Sequence, residues 1–336
     1  MHKKTSMHKL FSSSLPSVLA TLSCIGILLA PATTQAQSSG EQAQSSGKNE
    51  TQEKSDVDKS ADGTQVQGEP GAIPPKAQGD ESPAAEQETV KEQKPEFKVG
   101  RISFPTYQFE LGDKKLFYGL YLPNSFDRSK TYPLIVVLHG LNGSPGQILA
   151  YPGLTKHADD EGYILVAPMG YNARGWYGSR GKGGGRGSDP KNLGELSEQD
   201  VMEVLKLTRS NFNIDPQRIY LFGHSMGGGG SMHLAMKYPD IWAAIAVVAP
   251  AAYGNRDRLA SAKDIPAFVV QGDKDRLVSV RQTRLWVEKM KELEMKHQYV
   301  EVAGGGHVFL AWQHFDGIFA FYAKNPKQTK AQTQPE

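Results

Sequence analysis

The sequence predicts an α/β domain over residues 97–325 of the 336-residue chain, a mostly parallel central sheet with helices on both faces. Three observations carry this expectation. From Phe97 onward short apolar runs recur at regular spacing, most of them followed by an amphipathic stretch. Strands that alternate with helices in this way pair in parallel, through right-handed crossovers. The run 133–138, Pro-Leu-Ile-Val-Val-Leu, is apolar throughout instead of alternating, as a strand covered on both faces must be. Finally, Ile219-Tyr220-Leu221-Phe222 leads directly into Gly223-His224-Ser225-Met226-Gly227, a buried strand turning sharply into a helix of small residues.

The chain before this domain is of different character. Residues 1–40 hold three lysines (Lys3, Lys4, Lys9) and no acid, and an apolar run over 15–30 ends in Pro31-Ala32-Thr33-Thr34-Gln35-Ala36. A basic start, an apolar middle and a small-residue end make an export signal over 1–36, cleaved after Ala36. The apolar run falls short of the about 20 residues a spanning helix needs. The chain is therefore expected to be secreted or periplasmic, with no integral membrane span once the signal is removed. Cys24, the sole cysteine, lies in that run, and Thr21 stands where a lipoprotein signal would carry an aliphatic residue. The mature chain would then fold without disulfides.

Residues 37–96 read as a disordered polar linker. The hexamer Gln-Ala-Gln-Ser-Ser-Gly occurs at 35–40 and again at 42–47, and apolar residues are too few to offset chain entropy. Thirteen acids against six lysines give 41–96 a net charge of −7, which leaves +6 on residues 97–336. That excess is too small for a nucleic-acid footprint, so no nucleic acid is expected as a partner. A polar tail closes the chain over 326–336.

Within the domain, 101–110 and 115–122 read as an antiparallel strand pair with Gly112-Asp113 at the turn. The strand 133–138 is followed by a helix over 145–161, interrupted near Pro152-Gly153, and by a strand over 163–168. After a long loop, Val201, Val204, Leu205 and Leu207 mark the apolar face of a helix over 198–211. Strands follow at 218–223, 242–249 and 267–271, then a helix at 280–296, a strand at 298–302 and a last helix at 309–323. Only 17 residues separate Ala249 from Ala267, so no large lid is expected there.

The chemistry centres on Ser225. Gly223 and Gly227 flank it in the Gly-x-Ser-x-Gly pattern of a nucleophile elbow, where a Cβ would crowd the turn. A serine hydroxyl becomes a useful nucleophile only when a base takes its proton and a carboxylate orients that base. In this arrangement acid and histidine follow the serine in chain order, each in a loop at the carboxyl end of a strand. The strand ending at Gln271 runs into Gly272-Asp273-Lys274-Asp275, which favours Asp275, further past the strand end; Asp273 is the alternative or a turn residue. Of the later histidines, His297 opens the final strand and His314 lies in the last helix, whereas His307 follows Gly304-Gly305-Gly306 in a loop. His307 is the candidate base. The amides of Met226 and Leu141 are the candidate oxyanion donors, with His139 beside them a structural histidine. Trp176 and Tyr177 offer a substrate-facing aromatic wall or else pack beneath the loop. The glycine-rich stretch 181–187 lacks Walker spacing and reads as a mobile basic rim. His224 and His233 lie nine apart, which is no metal-site spacing; no metal and no cofactor are expected.

On these residues the chain resembles an α/β-hydrolase of the secreted serine esterase group that includes feruloyl esterases, acetylxylan esterases and polyhydroxybutyrate depolymerases. The resemblance is strongest in Asn213-Ile214-Asp215-Pro216-Gln217-Arg218-Ile219-Tyr220 leading into the elbow, and in Tyr238-Pro239-Asp240-Ile241-Trp242-Ala243-Ala244. It covers most of 115–320. It implies hydrolysis of carboxylic esters, short acyl or feruloyl and acetyl esters on polysaccharide or small molecules, through Ser225, His307 and Asp275 and an acyl-enzyme. Gly-His-Ser-Met-Gly-Gly-Gly-Gly also resembles the elbow of bacterial polyester hydrolases, and peptidases of the prolyl-oligopeptidase type share such a catalytic domain. Polyester depolymerase and serine peptidase are accordingly the competing enzyme readings, and a non-catalytic surface-binding module is the third.

Overall fold

Continuous apolar runs become the middle of an eight-stranded sheet in the structure, a computed structural model that describes residues 97–328. The expected export signal, the linker and the outer part of the C-terminal tail lie outside the described residues. In chain order the elements are β1 (Thr106–Phe109), β2 (Lys114–Tyr121), β3 (Tyr132–Leu138), α1 (Pro145–Leu149), α2 (Leu154–Glu161), β4 (Ile164–Pro168), α3 (Leu193–Asn211) and β5 (Ile214–His224). They continue with α4 (Met226–Lys237), β6 (Ala244–Val248), β7 (Ala267–Gly272), α5 (Val280–Glu292), β8 (His297–Val302) and α6 (Phe315–Ala323). The strand order is β1-β2-β4-β3-β5-β6-β7-β8. β1 and β2 pair antiparallel, as do β2 and β4, and every pairing from β4 through to β8 is parallel.

The period of two along a strand divides the core into two layers. In β3, Leu134, Val136 and Leu138 pack with α3, α4 and α5, while Ile135 and Val137 pack with α1, α2 and α6. β5 repeats the split, Ile219 and Leu221 on one side and Tyr220 and Phe222 on the other. Among the described residues no helix is long and apolar enough to cross a membrane.

The departures from expectation sit at element ends. The first strand pairs over Thr106–Phe109 only, with isolated bridges from Val99 to Leu122 and from Ser103 to Leu120 ahead of it, because Pro105 between Ser103 and the strand has no N–H to donate. α3 starts at Leu193, earlier than expected, since the buried Leu193 and Leu196 extend its apolar face through a polar-looking stretch. α6 starts at Phe315, so residues 309–314 form turns and His314 precedes the helix instead of lying in it. The break between α1 and α2 falls where Pro152-Gly153 marked it; Gly153 sits at φ 90°, which suits glycine alone. The segment between β6 and β7 carries one short 3-10 stretch, Arg256–Ala262.

This topology positions the site. β3 has β4 on one side and β5 on the other, so the chain reverses its direction of travel across the sheet there. Loops leaving the carboxyl ends of strands diverge at such a point and open a crevice.

Candidate active site

β5 ends at His224 and α4 begins at Met226, so Ser225 alone makes the turn. It does so at φ 58°, ψ −117°, a conformation that L-residues rarely adopt. The surroundings hold it there. A Cβ on Gly223 would overlap the Gly227 carbonyl, and one on Gly227 would overlap the carbonyl of Leu138 at the end of β3. The Ser225 amide donates to Val248 O (2.9 Å), and its carbonyl accepts from Gly229 N (3.1 Å) and Ala251 N (2.9 Å). All the backbone polar atoms of the residue are committed; among the described residues its hydroxyl has no hydrogen-bond partner. That hydroxyl belongs to a cavity of about 1020 Å³ whose lining includes Ser225, His307, His224, Gly140, Leu141 and Trp176.

The acid and the histidine come from adjacent parallel strands. Asp275 follows β7 and His307 follows β8, and His307 Nδ1 lies 2.7 Å from Asp275 Oδ2. The Asp275 side chain is fully buried. Burial alone would raise its carboxyl, but the Val278 amide, the His307 ring and the Leu277 amide together hold it below the usual carboxylate range. A carboxylate at Nδ1 keeps the N–H there, which leaves the lone pair of the neutral ring at Nε2. Gln271, at the end of β7, adds an amide hydrogen bond to Asp275 Oδ2 (3.1 Å) and is itself oriented by Thr283 Oγ1 (2.7 Å). Asp273 has a different task. Its Oδ1 accepts from Gly304 N (2.7 Å) and its amide donates to Val302 O (3.1 Å), so it ties the acid loop to the start of the histidine loop.

Sequence reasoning passed over several residues here. Gln271 and Thr283 are buried polar groups in otherwise apolar surroundings, and the glutamine closing a run of Ala-Phe-Val-Val was the available signal. His224, considered only as a metal ligand, donates from Nε2 to the His307 carbonyl (2.9 Å) and accepts at Nδ1 from Tyr151 Oη (2.7 Å). Its ring lies 5.0 Å from that of His307. Burial first, and then the neighbouring His307, push His224 down to about 4, so it stays neutral. Among the described residues no three histidine, cysteine or acidic side chains group as a metal site requires.

The loop after β3 lies against the elbow: a Cβ on Gly140 would stand 3.6 Å from that of Ser225. In that loop the Asn142 and Gly143 amides are taken by Ala173 O (2.8 Å) and Gly140 O (3.0 Å), whereas the Leu141 amide has no acceptor among the described residues. Met226 buries its side chain in the core and offers its amide at the first turn of α4, where helix N–H groups lack partners. His139 is buried, with Nε2 3.0 Å from Met169 O, as a structural histidine. Trp176 lines the cavity, but Tyr177 does not reach the rim: it is fully buried, with its hydroxyl on His139 O (3.3 Å). Tyr253, from the loop after β6, lines the cavity in its place.

A mostly parallel sheet with an elbow serine after β5, and an acid and a histidine at the ends of the last two strands, defines an α/β-hydrolase. The chain belongs to the Esterase family, whose model matches residues 113–321. It is 33% identical over 147 residues to the S-formylglutathione hydrolase of Rattus norvegicus, covering 40% of this chain and 52% of that one. To feruloyl esterase B of Thermothelomyces thermophilus it is 30% identical over 138 residues, 40% of this chain and 44% of the relative. The chain thus spans about half the length of the curated relatives it matches. The solved structure of a ferulic acid esterase from Anaeromyces mucronatus shares the fold at a TM-score of 0.55 and 18% identity, over 70% of this chain and 95% of that chain.

Proposed function

We propose that the protein is a serine carboxylic ester hydrolase in which Ser225 is the nucleophile, His307 the general base and Asp275 the residue that orients it. The observation that carries this reading is the 2.7 Å contact between His307 and a fully buried Asp275, on a cavity that also holds the Ser225 hydroxyl. In the reaction, Nε2 of His307 removes the Ser225 proton as the hydroxyl oxygen attacks the ester carbonyl. The amides of Leu141 and Met226 stabilise the oxyanion, and His307 returns the proton to the departing alcohol. Water then attacks the acyl-enzyme with the same base. For this chemistry the Ser225 hydroxyl must hydrogen-bond to His307 Nε2 once substrate is bound; catalytic hydrogen bonds that are long or unmade in the free enzyme commonly tighten only then.

The substrate class follows from relatives and cavity together. The Esterase family, with feruloyl esterase, acetylxylan esterase and S-formylglutathione hydrolase among the relatives, supports cleavage of short or aromatic acyl groups. Among the described residues the segment between β6 and β7 carries only one short 3-10 stretch and no lid subdomain, which supports access to an ester borne on polysaccharide. Residues 97–325 form the catalytic domain in this reading, 1–36 direct export, and 37–96 space the domain from its surroundings in the periplasm or outside the cell. The test is one panel: 4-nitrophenyl acetate, butyrate and laurate, methyl ferulate and a proline-containing peptide anilide. Highest kcat/KM is expected on acetate, butyrate or ferulate; highest kcat/KM on laurate or the anilide overturns the reading.

A further inference from the structure

Three arginines line the cavity, Arg174, Arg180 and Arg186, and no carboxylate does. Arg174 is already paired, holding Asp189 through two hydrogen bonds of 2.7 Å. Among the described residues, neither Arg180 nor Arg186 has an ion-pair partner. Arg180 is also held in place. Its Cζ lies 3.5 Å from the centroid of the Trp176 ring and 5.3 Å from that of Tyr253. A guanidinium stacked on an aromatic face keeps its N–H edge available, in a planar fork that matches a carboxylate.

The backbone beneath this arrangement is strained. Trp176 and Tyr177 are successive non-glycine residues at positive φ, 59° and 50°. Such strain persists only where surrounding contacts over-determine it, and Tyr177 supplies them: its amide donates to Ser197 Oγ (3.0 Å) and its ring is fully buried. The consequence is a fixed aromatic platform at the mouth of the cavity with a cation lying on it.

We propose that the cavity selects esters carrying a carboxylate away from the scissile carbonyl, which Arg180 holds, with Arg186 a second cation on the same cavity lining. This rests on the ester hydrolase reading above and adds the charge of its substrate. Both arginines are exposed, so the attraction is screened by salt.

Two matched pairs of esters test it. 4-Nitrophenyl hydrogen adipate against 4-nitrophenyl hexanoate puts the charge on the acyl side; 4-acetoxybenzoate against 4-acetoxybenzamide puts it on the alcohol side. The readout is the ratio of charged to neutral kcat/KM in low salt, for wild type and for the Arg180→Gln/Arg186→Gln double variant. The proposal expects that ratio to fall at least threefold in one pair, and the pair that responds tells which side carries the charge. A fall of less than threefold in both pairs overturns it. Equilibrium binding of the uncleaved esters to Ser225→Ala, with and without the two arginine changes, reads the same ratio without turnover. If wild type cleaves none of the four esters, the ester hydrolase reading fails, while the binding ratio still decides the charge preference by the same threefold limit.

Discussion

At the floor of the cavity, the acid, the histidine and the serine stand on the ends of β7, β8 and β5, and the polar groups around the acid are closely bonded. Asp275 accepts from two amides, a glutamine and a histidine; Gln271 is held by Thr283, and His307 is held from behind by His224. At the mouth, the loop over 174–186 is basic, rich in glycine and largely exposed, and one of its cations, Arg180, rests on aromatic rings instead of on a carboxylate. The rim presents charge to whatever enters. On the proposed reading, chemistry depends on strand ends and selection on a loop, and substitutions in the two regions should then fail differently: in kcat at the floor, in the choice between substrates at the rim.

The largest effect is expected from Ser225→Ala, which removes one hydroxyl and no backbone contact. Its kcat should fall about 10⁴-fold or more while the melting temperature stays near that of wild type. Next come the two aspartates, which probe the floor against its own support. Asp275→Asn should lower kcat by about 10³- to 10⁴-fold, because an amide cannot hold the His307 tautomer or stabilise the imidazolium. Asp273→Asn, which keeps an acceptor for the Gly304 amide, should cost less than about tenfold. Steady-state kinetics on one soluble ester compares them, and a reversed ranking would move the acid to Asp273.

A smaller effect is expected in stability against pH. His224 titrates at about 4 in the folded protein, against 6.5 when exposed. The unfolded chain therefore binds more protons between these values, so this contribution is complete above pH 6.5 and is lost as pH falls towards 4. Protonation at Nδ1 would remove the acceptor of the Tyr151 hydroxyl. The shift corresponds to about 3 kcal/mol as an order of magnitude. Burial lowers His139 too, but His139 is common to both proteins in a comparison with His224→Gln. Melting curves at pH 7 and pH 4.5 should show a steeper fall for wild type than for His224→Gln; equal slopes would mean that His224 is not a neutral buried group. The smallest effect belongs to Thr283→Val. It strands the Gln271 carbonyl without its donor and should cost about 1–3 kcal/mol in denaturant melts. Rate should fall by less than tenfold.

Much of the floor is legible in the sequence because its parts obey an order along the chain. The elbow announces itself through Gly223 and Gly227, and the acid and histidine must then follow the next strand ends, which narrows the choice to a few residues. The parallel sheet is legible for a similar reason, since strands such as β3 are apolar on both faces. What the sequence hides depends on approach between segments distant along the chain. That Tyr177 goes under the loop while its neighbour Trp176 stays at the cavity is set by two positive φ angles. Tyr253 joins the rim from a loop 77 residues on from Trp176, and no periodicity marks it. His224 stands in plain view beside Ser225, but its partners Tyr151 and the His307 carbonyl come from elsewhere in the chain. Helix ends such as Leu193 and Phe315 differ from expectation because buried contacts, not local pattern, decide where they begin.

Labelling with a fluorophosphonate, read by intact mass and peptide mapping, tests the central claim most directly. The account predicts a single adduct on Ser225, none in Ser225→Ala, and labelling at least 100-fold slower in His307→Ala. An adduct on another residue, or a labelling rate untouched by His307→Ala, would contradict it.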